Sequence, residues 1–252
     1  MRIMFVGDVY MKKGREAFDR FFTEAKKLHR PHLVIVNGEN IAEGNGLTTS
    51  IYKEFMKKGV HGFTMGNHAF SKRYENSALD EPNVCRPANY GKNVRGNEAI
   101  ELRLNDKTLL LVNLLGRIFM GDPVDNPFTT IDRILEKTEA DHVLVDFHAE
   151  ATSEKYAMAN YLDGRVDALI GTHTHVPTAD ETVFPKGLLY ISDVGMTGVK
   201  HSIIGGNIEQ GIRKFLTGVP ERIYPENEGL LQFNAVLLDI ELKTIERINY
   251  QE

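Results

Sequence analysis

Six polar side chains of the types that bind metal ions follow short apolar runs at separate places in the sequence. These residues are Asp8, Glu39, Asn67, His148, His173 and His175. A carboxylate can bridge two cations, amides and imidazoles can complete each coordination shell, and open positions can accept water and a phosphate. The set therefore predicts a dinuclear metal centre that activates water against a phosphate ester.

Each member of this set has an ordinary structural explanation when it is taken alone. Asp8 could cap a helix, residues 38–40 and 66–68 could form turns, and His148 could be a buried core histidine. Residues 173–175, His-Thr-His, are the least ordinary, because side chains that alternate in an extended segment can serve two adjacent metals. The recurrence of such residues at five predicted strand ends favours the metal centre.

The elements that must position these residues alternate between strand and helix. Short runs rich in β-branched residues predict buried strands at 2–7 and 32–37, and helical spacing predicts a helix at 15–28 between them. A second helix at about 49–58 leads to a strand at 62–65. Because strands of an open α/β sheet gather their carboxyl ends at one edge, we expect the polar residues to meet there.

The second half of the chain departs from a purely parallel pattern. Antiparallel hairpins are predicted for 99–104 with 108–114 and for 233–242 with 244–249. Further strands are predicted at 142–147, 168–170 and 188–191, with a helix at about 153–162. We therefore predict an α/β fold, a layered sandwich of two mixed β-sheets flanked by helices. It forms a single domain over residues 1–252, with a possible small appendage near 197–222.

Composition limits the partners of this chain of 252 residues, which carries a formal net charge of -5. This charge argues against long nucleic acid, which is bound by basic surfaces, and leaves a small phosphorylated substrate. Cys85 is the only cysteine, so an intrachain disulfide and a thiolate metal site are excluded and any metal must bind nitrogen and oxygen. No run approaches the roughly 20 apolar residues of a membrane span. We expect a cytoplasmic protein with no membrane partner, and an oligomer is compatible with the sequence.

The order of these motifs resembles the calcineurin-like metallophosphoesterase superfamily. Six segments are similar to its bacterial YmdB-like branch, and they are GDVY, NGEN, GNHAF, VDFHAEATSEK, GTHTHV and SDVGMTG. The resemblance spans most of the chain and implies a metallophosphoesterase-type sandwich. It also implies hydrolysis of cyclic nucleotides or related phosphodiesters, notably 2′,3′-cyclic AMP, by attack of a metal-bridging hydroxide.

Two departures from the superfamily pattern affect the expected ligands. Tyr10 stands where the first motif usually has histidine, with Asn40 as the candidate replacement, and Glu39 takes the place of an aspartate. The implied sets are Asp8, Glu39, Asn40 and His175 for the first metal, and Glu39, Asn67, His148 and His173 for the second. A shell of nitrogen and oxygen donors suits manganese or iron, as two divalent ions or a mixed-valence pair.

Three further residues are candidates for catalysis or substrate binding. His68 follows Asn67 directly, and we assign it as a proton donor or transition-state stabiliser. Arg86 could bind a phosphate through two parallel hydrogen bonds, and Asn89 could bind a base or ribose. The alternative for both is a rigid surface turn.

Other functions are compatible with the same residues. A two-metal centre can also cleave phosphomonoesters, so a nucleotidase is one alternative, and the shape of the pocket would decide. A regulatory protein could keep the metal fold and bind a nucleotide without turnover. The acidic net charge disfavours a third alternative, an RNA-processing or RNA-binding factor.

Overall fold

The computed structural model of this chain describes residues 1–252, with the exception of the side chain of Tyr74. In chain order the first elements are β1 (Arg2–Val6), α1 (Met11–His29), β2 (Leu33–Asn37), α2 (Thr49–Lys58), β3 (Gly62–Thr64), β4 (Val84–Cys85), β5 (Ala99–Leu104) and β6 (Lys107–Leu115). They are followed by α3 (Pro127–Leu135), β7 (His142–His148), α4 (Thr152–Leu162), β8 (Ala168–Thr172), β9 (Thr182–Val183), β10 (Leu189–Ile191), β11 (Gly198–Val199), α5 (Ile208–Thr217), β12 (Leu231–Asp239) and β13 (Thr244–Gln251). No helix among the described residues is both long and apolar enough to span a membrane.

These strands form two mixed sheets. In the first sheet, β1, β2, β3 and β4 run parallel in that order, and β12 pairs antiparallel with the free side of β1. Both β11 and β13 pair antiparallel with β12. The second sheet has the order β5-β6-β7-β8-β10-β9, in which β6, β7, β8 and β10 are parallel. The parallel strands of each sheet therefore end at a common edge.

Alternation along the strands builds the layers of the core. Ile3 and Phe5 of β1 belong to the buried cluster between the two sheets. Met4 and Val6 point to the other face of the first sheet, where Phe18 of α1 and side chains of α2 cover them. The outer face of the second sheet packs against α3 and α4. This arrangement confirms the predicted sandwich of two mixed sheets flanked by helices.

Two helices differ from the sequence-based expectation. α1 begins at Met11, one turn before the predicted start, and its first turns contain Gly14. A glycine stands there because the position lies against the backbone of Val9 and Thr197, which leaves no room for a side chain. α3 was not predicted, although Asn126 caps it by accepting the backbone N–H of Phe128 and a proline occupies its first turn.

The segment around α5 lies at the surface. Of the described residues of α5, only Gly211 is buried. Asn207 caps the helix by accepting the backbone N–H of Gln210, and Gly218 ends it in a left-handed conformation. The segment thus has a defined backbone conformation with little burial of its own.

Candidate metal centre

The predicted ligands converge where the parallel strands of the two sheets end. Asp8, Glu39 and Asn67 follow β1, β2 and β3 of the first sheet, whereas His148 ends β7 and His173 follows β8 of the second. Each sheet therefore contributes part of one group of side chains, as expected for an α/β site. We call these five residues together with Asn40 and His175 the metal cluster.

Glu39, His148 and His173 form the tightest part of the metal cluster. Nε2 of His148 lies 3.3 Å from Oε1 of Glu39 and 3.0 Å from Nδ1 of His173. Ligand atoms from the three residues all lie within 4.8 Å of one another. Gly66 makes this approach possible, because a Cβ at that position would collide with the Glu39 carboxylate and the His148 imidazole.

Asp8, Asn40 and His175 lie beside this group. Oδ1 of Asp8 is 3.9 Å from Nε2 of His175, and that nitrogen is 3.1 Å from Oδ1 of Asn40. The ring of Tyr10 packs edge-on against the His175 imidazole with 5.5 Å between centroids. Asn40 therefore contacts His175. Such a contact is required if Asn40 takes the ligand position that a histidine at position 10 would have, because both residues would then hold the same metal.

Two buried oxygens of the metal cluster, Oδ1 of Asp8 and Oδ1 of Asn67, have no hydrogen-bond partner among the described residues. Leaving a buried acceptor unsatisfied costs about 1–3 kcal/mol, and more for a charged group. Coordination of a metal ion would satisfy both oxygens. The combination of carboxylates, amides and imidazoles without thiolate also matches the donors that manganese and iron accept. The residues present fit a metal site.

Burial and neighbouring charges set the protonation of this group. Burial raises the pKa of Asp8, and the nearby His175 and His148 oppose it only in part. Burial also opposes ionisation of Glu39, yet His148 and His68 hold the pKa of Glu39 well below its ordinary value. Burial disfavours a charged His148, but Glu39 and Asp8 outweigh it and raise the pKa of His148 to about 9. A metal cation at His148 would compete with that proton, so metal binding there would release protons.

A buried network of hydrogen bonds orients the His148 imidazole through its Nδ1 atom. Oγ1 of Thr172 donates to Oδ1 of Asp146 at 2.7 Å and lies 2.8 Å from Nδ1 of His148. Because the hydroxyl proton points to Asp146, the oxygen accepts from Nδ1 of His148, which leaves Nε2 for a metal. Asn37 completes the network by donating to Oδ2 of Asp146 at 3.0 Å. Sequence reasoning missed this network, because its members lie inside strands that look like ordinary core strands.

Replacing Thr172 with valine is expected to weaken metal binding about 10–100-fold, because His148 loses the acceptor that fixes its orientation. Thr172→Ser keeps the hydroxyl and serves as the matched control, with an affinity close to that of the unchanged protein. Competition with a coloured chelator for Mn²⁺ measures both variants. A valine variant that binds Mn²⁺ as tightly as the serine variant would show that the hydrogen-bond network does not position His148.

His173 and His175 do not lie in an extended segment, which corrects the expected alternation of their side chains. Their φ angles are 105° and 66°, in the left-handed half of backbone space. A bend after β8 therefore directs both imidazoles to the other members of the metal cluster. Non-glycine residues in sparsely populated conformations cost about 1–3 kcal/mol each, so surrounding contacts must hold the bend.

A buried ion pair between Lys155 and Asp193 supplies these contacts. Nζ of Lys155 donates to the carbonyl of Thr172 and to Oδ2 of Asp193, each at 3.0 Å. The same carboxylate oxygen accepts the backbone N–H of Thr174 at 2.9 Å. Lys155 lies in the motif VDFHAEATSEK and Asp193 in SDVGMTG. Sequence reasoning assigned no role to either residue. A lysine in a helix gives no local signal that it is buried.

His68 lies at the edge of the metal cluster. Its Nδ1 is 3.0 Å from Oε1 of Glu39 and 3.2 Å from Nδ2 of Asn40, and its side chain is 35% exposed. The hydrogen bond with Glu39 raises the pKa of His68, although burial opposes this shift. A partly exposed imidazole that retains its proton can act as a general acid.

Arg86 and Asn89 do not line the site, which corrects their predicted role in substrate binding. The buried guanidinium of Arg86 donates to four backbone carbonyls of its own loop at 2.9–3.1 Å. The buried amide of Asn89 donates to the carbonyl of Leu115 at 2.8 Å and accepts from its N–H at 2.9 Å. Both side chains are committed to backbone groups because the loop folds inwards, and neither is a surface turn residue.

A cleft of about 700 Å³ opens onto the metal cluster. The metal cluster contributes Glu39, Asn40, His173 and His175 to its lining, and His68 lies beside them. Residues on both sides of α5 line the same cleft. The fold and the site together define a metallophosphoesterase-type α/β protein.

The family model described as YmdB-like protein matches residues 4–251. The chain belongs to the YmdB-like family, which confirms the predicted family and fold class. A relative from Bacillus subtilis (strain 168) is named 2′,3′-cyclic-nucleotide 2′-phosphodiesterase. It is 41% identical over an alignment of 256 positions, which covers 98% of this chain and 96% of the relative.

Two crystal structures are similar over the whole chain. A hypothetical protein from Thermus thermophilus has a TM-score of 0.93 and 44% identity, with 100% of both chains covered. A protein from Mycoplasma pneumoniae, described as a novel phosphatase, has a TM-score of 0.93 and 35% identity, with 100% of this chain and 94% of that chain covered.

Proposed function

We propose that this chain is a metal-dependent phosphodiesterase that hydrolyses cyclic nucleotides or related phosphodiesters, with 2′,3′-cyclic AMP as the first candidate substrate. One observation carries the proposal. Side chains of the types that bind metal ions converge from both sheets beside a cleft of about 700 Å³, and two of their buried oxygens have no hydrogen-bond partner among the described residues. The name of the Bacillus subtilis relative supports the substrate class.

The proposed centre holds two metal ions, manganese or iron. Asp8, Glu39, Asn40 and His175 would hold the first, and Glu39, Asn67, His148 and His173 the second. When bound, the metals would lower the pKa of a water and neutralise charge on the phosphoryl oxygens. The convergence of these side chains in the metal cluster supports the assignment.

His68 has a separate role in the proposed reaction. Water adds to phosphorus, the bond from phosphorus to one ribose oxygen breaks, and this oxygen must gain a proton as it leaves. Nδ1 of His68 is held by Glu39, which frees Nε2 to face the substrate, and the raised pKa of His68 keeps the proton available. We assign the proton donation to Nε2 of His68.

His68→Ala is expected to keep its bound metal and to lose about 10²–10⁴-fold in turnover, the usual contribution of a general acid. Metal content per chain and the rate of cyclic-nucleotide hydrolysis measure the two effects separately. His201→Ala is the matched control, because His201 is exposed and does not line the cleft, and both properties should stay unchanged. Full activity of the His68 variant would remove this residue from the mechanism.

The function itself is tested with chelator-stripped protein, 2′,3′-cyclic AMP and added Mn²⁺. Manganese-dependent opening of the cyclic diester, with a phosphomonoester left largely intact, is the expected result. Preferred cleavage of the monoester would instead identify a nucleotidase, an alternative that the phosphatase description of the Mycoplasma pneumoniae structure favours. No turnover of either substrate with two metals bound would identify a regulatory binding protein.

The organisation and location of the chain are part of the proposal. We propose one domain over residues 1–252, with residues 197–222 as a small appendage around α5. We also propose a cytoplasmic location, where the single buried thiol of Cys85 would stay reduced.

A further inference from the structure

The cleft beside the metal cluster has few positive charges in its wall. Three glutamates line it, namely Glu39, Glu43 and Glu150. Among the described residues of the lining, Arg222 is the only lysine or arginine. A phosphorylated substrate therefore meets one permanently charged cation from the protein in this cleft.

Arg222 belongs to a group of residues that flank α5, which we call the α5 wall and define as Ile203, Ile204, Gly206, Arg222, Ile223, Tyr224 and Pro225. All of them line the cleft. The guanidinium carbon of Arg222 lies 5.0 Å from the centroid of the Tyr224 ring. Such a cation–π contact restricts the guanidinium without using its N–H donors, which stay free for an anionic ligand.

Two hydrogen bonds of the Tyr224 backbone hold the α5 wall in place. The N–H of Tyr224 donates to Oε1 of Gln210 at 2.8 Å, and the carbonyl of Tyr224 accepts from the N–H of Asn207 at 2.8 Å. Close packing adds to this, because a Cβ at Gly206 would approach Ile223 within 2.6 Å. The backbone that carries Arg222 is therefore held by contacts that need no ligand.

The α5 wall is also joined to the metal cluster. Nδ1 of His175 donates to the carbonyl of Ile204 at 2.8 Å. Next to Ile204, Gly205 has a φ of 100° and lies so close to Tyr10 that a Cβ would come within 2.6 Å of the ring. One short segment therefore contacts a predicted metal ligand and leads to the wall that carries Arg222.

We propose that Arg222 binds the phosphate group of the substrate, the role that sequence reasoning gave to Arg86, and that Tyr224 is the positioning residue for its guanidinium. Arginine suits this role, because its planar donors form two parallel hydrogen bonds to phosphoryl oxygens. The ligand class is a nucleoside phosphate, and the phosphate distinguishes it from a nucleoside. This inference rests on the proposed function, because it places the same substrate in the same cleft.

The test measures binding of adenosine 3′-monophosphate and of adenosine to the manganese-loaded protein by calorimetry. Arg222→Met keeps most of the side-chain length and removes the charge. It is expected to lose about 10–100-fold in affinity for the monophosphate, the range for a hydrogen bond to a charged group, and to bind adenosine unchanged. Arg222→Lys keeps the charge without the planar fork, so its affinity for the monophosphate should lie between those of Arg222→Met and the unchanged protein.

Arg213→Met is the matched control, because Arg213 lies in α5, pairs with Glu221 and does not line the cleft. Its affinities should equal those of the unchanged protein. Tyr224→Leu should weaken binding of the monophosphate while leaving adenosine affinity unchanged.

Equal affinity of the Arg222→Met variant and the unchanged protein for the monophosphate would overturn the inference, as would an equal loss for adenosine. No binding of the monophosphate to the unchanged protein would overturn it too. If the unchanged protein binds the monophosphate through Arg222 but opens no cyclic diester, the phosphate site stands and the phosphodiesterase proposal fails.

Discussion

Lys155→Met is expected to lower the free energy of unfolding by about 3–5 kcal/mol, the usual cost of removing one partner of a buried ion pair. The side chains of Lys155 and Asp193 are only 2% and 1% exposed, so methionine would leave a carboxylate charged and buried without its cation. The carbonyl of Thr172 would also lose the ammonium donor and keep only the longer hydrogen bond from the N–H of Ala149. Urea unfolding of the chelated protein measures the change without a contribution from bound metal.

Two further variants separate charge from packing. Lys155→Met combined with Asp193→Asn removes the stranded charge and keeps an amide oxygen for the N–H of Thr174, so part of the lost stability should return. Lys12→Met is the surface control, because Lys12 is 76% exposed, and its effect should stay within about 0.5 kcal/mol. A loss below about 1 kcal/mol for Lys155→Met would mean that the ion pair does not support the bend.

Asp8→Asn is expected to reduce the bound metal from the proposed two ions to one per chain. Turnover should fall by about 10³-fold or more, because one metal contributes several kcal/mol to charge stabilisation. In the chelated protein the same change should cause no loss of stability. Asp8 is fully buried, its Oδ1 has no hydrogen-bond partner among the described residues, and its pKa is raised by burial. Asparagine removes the buried charge that a metal would otherwise compensate.

Metal analysis and unfolding with and without Mn²⁺ measure these opposite effects. Asp106→Asn, in the exposed turn between β5 and β6, is the matched control for an Asp-to-Asn change and should alter neither metal content nor stability. A destabilised chelated Asp8→Asn protein that still binds two metals would assign Asp8 a structural role instead.

The positions of the proposed ligands could be predicted because they depend on a local rule. A polar residue directly after a short buried strand, as at Asp8 and Glu39, lies at the carboxyl end of that strand whatever the rest of the chain does. The alternation of strands and helices in the first half of the chain then predicts parallel strands that gather these ends at one edge of a sheet. This is why the class of fold and the members of the metal cluster could be predicted without a structure.

The remaining features depend on contacts between distant parts of the chain. The segment around Arg86 has the composition of a surface turn, and only the inward fold of its loop shows that the guanidinium binds backbone carbonyls. The pairing of Lys155 with Asp193 joins a helix to a loop 38 residues later. The bend at His173 is a left-handed conformation that histidine does not signal locally.

The division of the proposed ligands between the two sheets has a consequence for synthesis of the protein. The first sheet supplies Asp8, Glu39 and Asn67 early in the chain, and the second supplies His148, His173 and His175 much later. A growing chain that has folded only its first strands therefore presents carboxylates and amides without the imidazoles proposed to complete each shell. The proposed hydrolytic activity would begin only after most of the polypeptide has left the ribosome and the two sheets have docked.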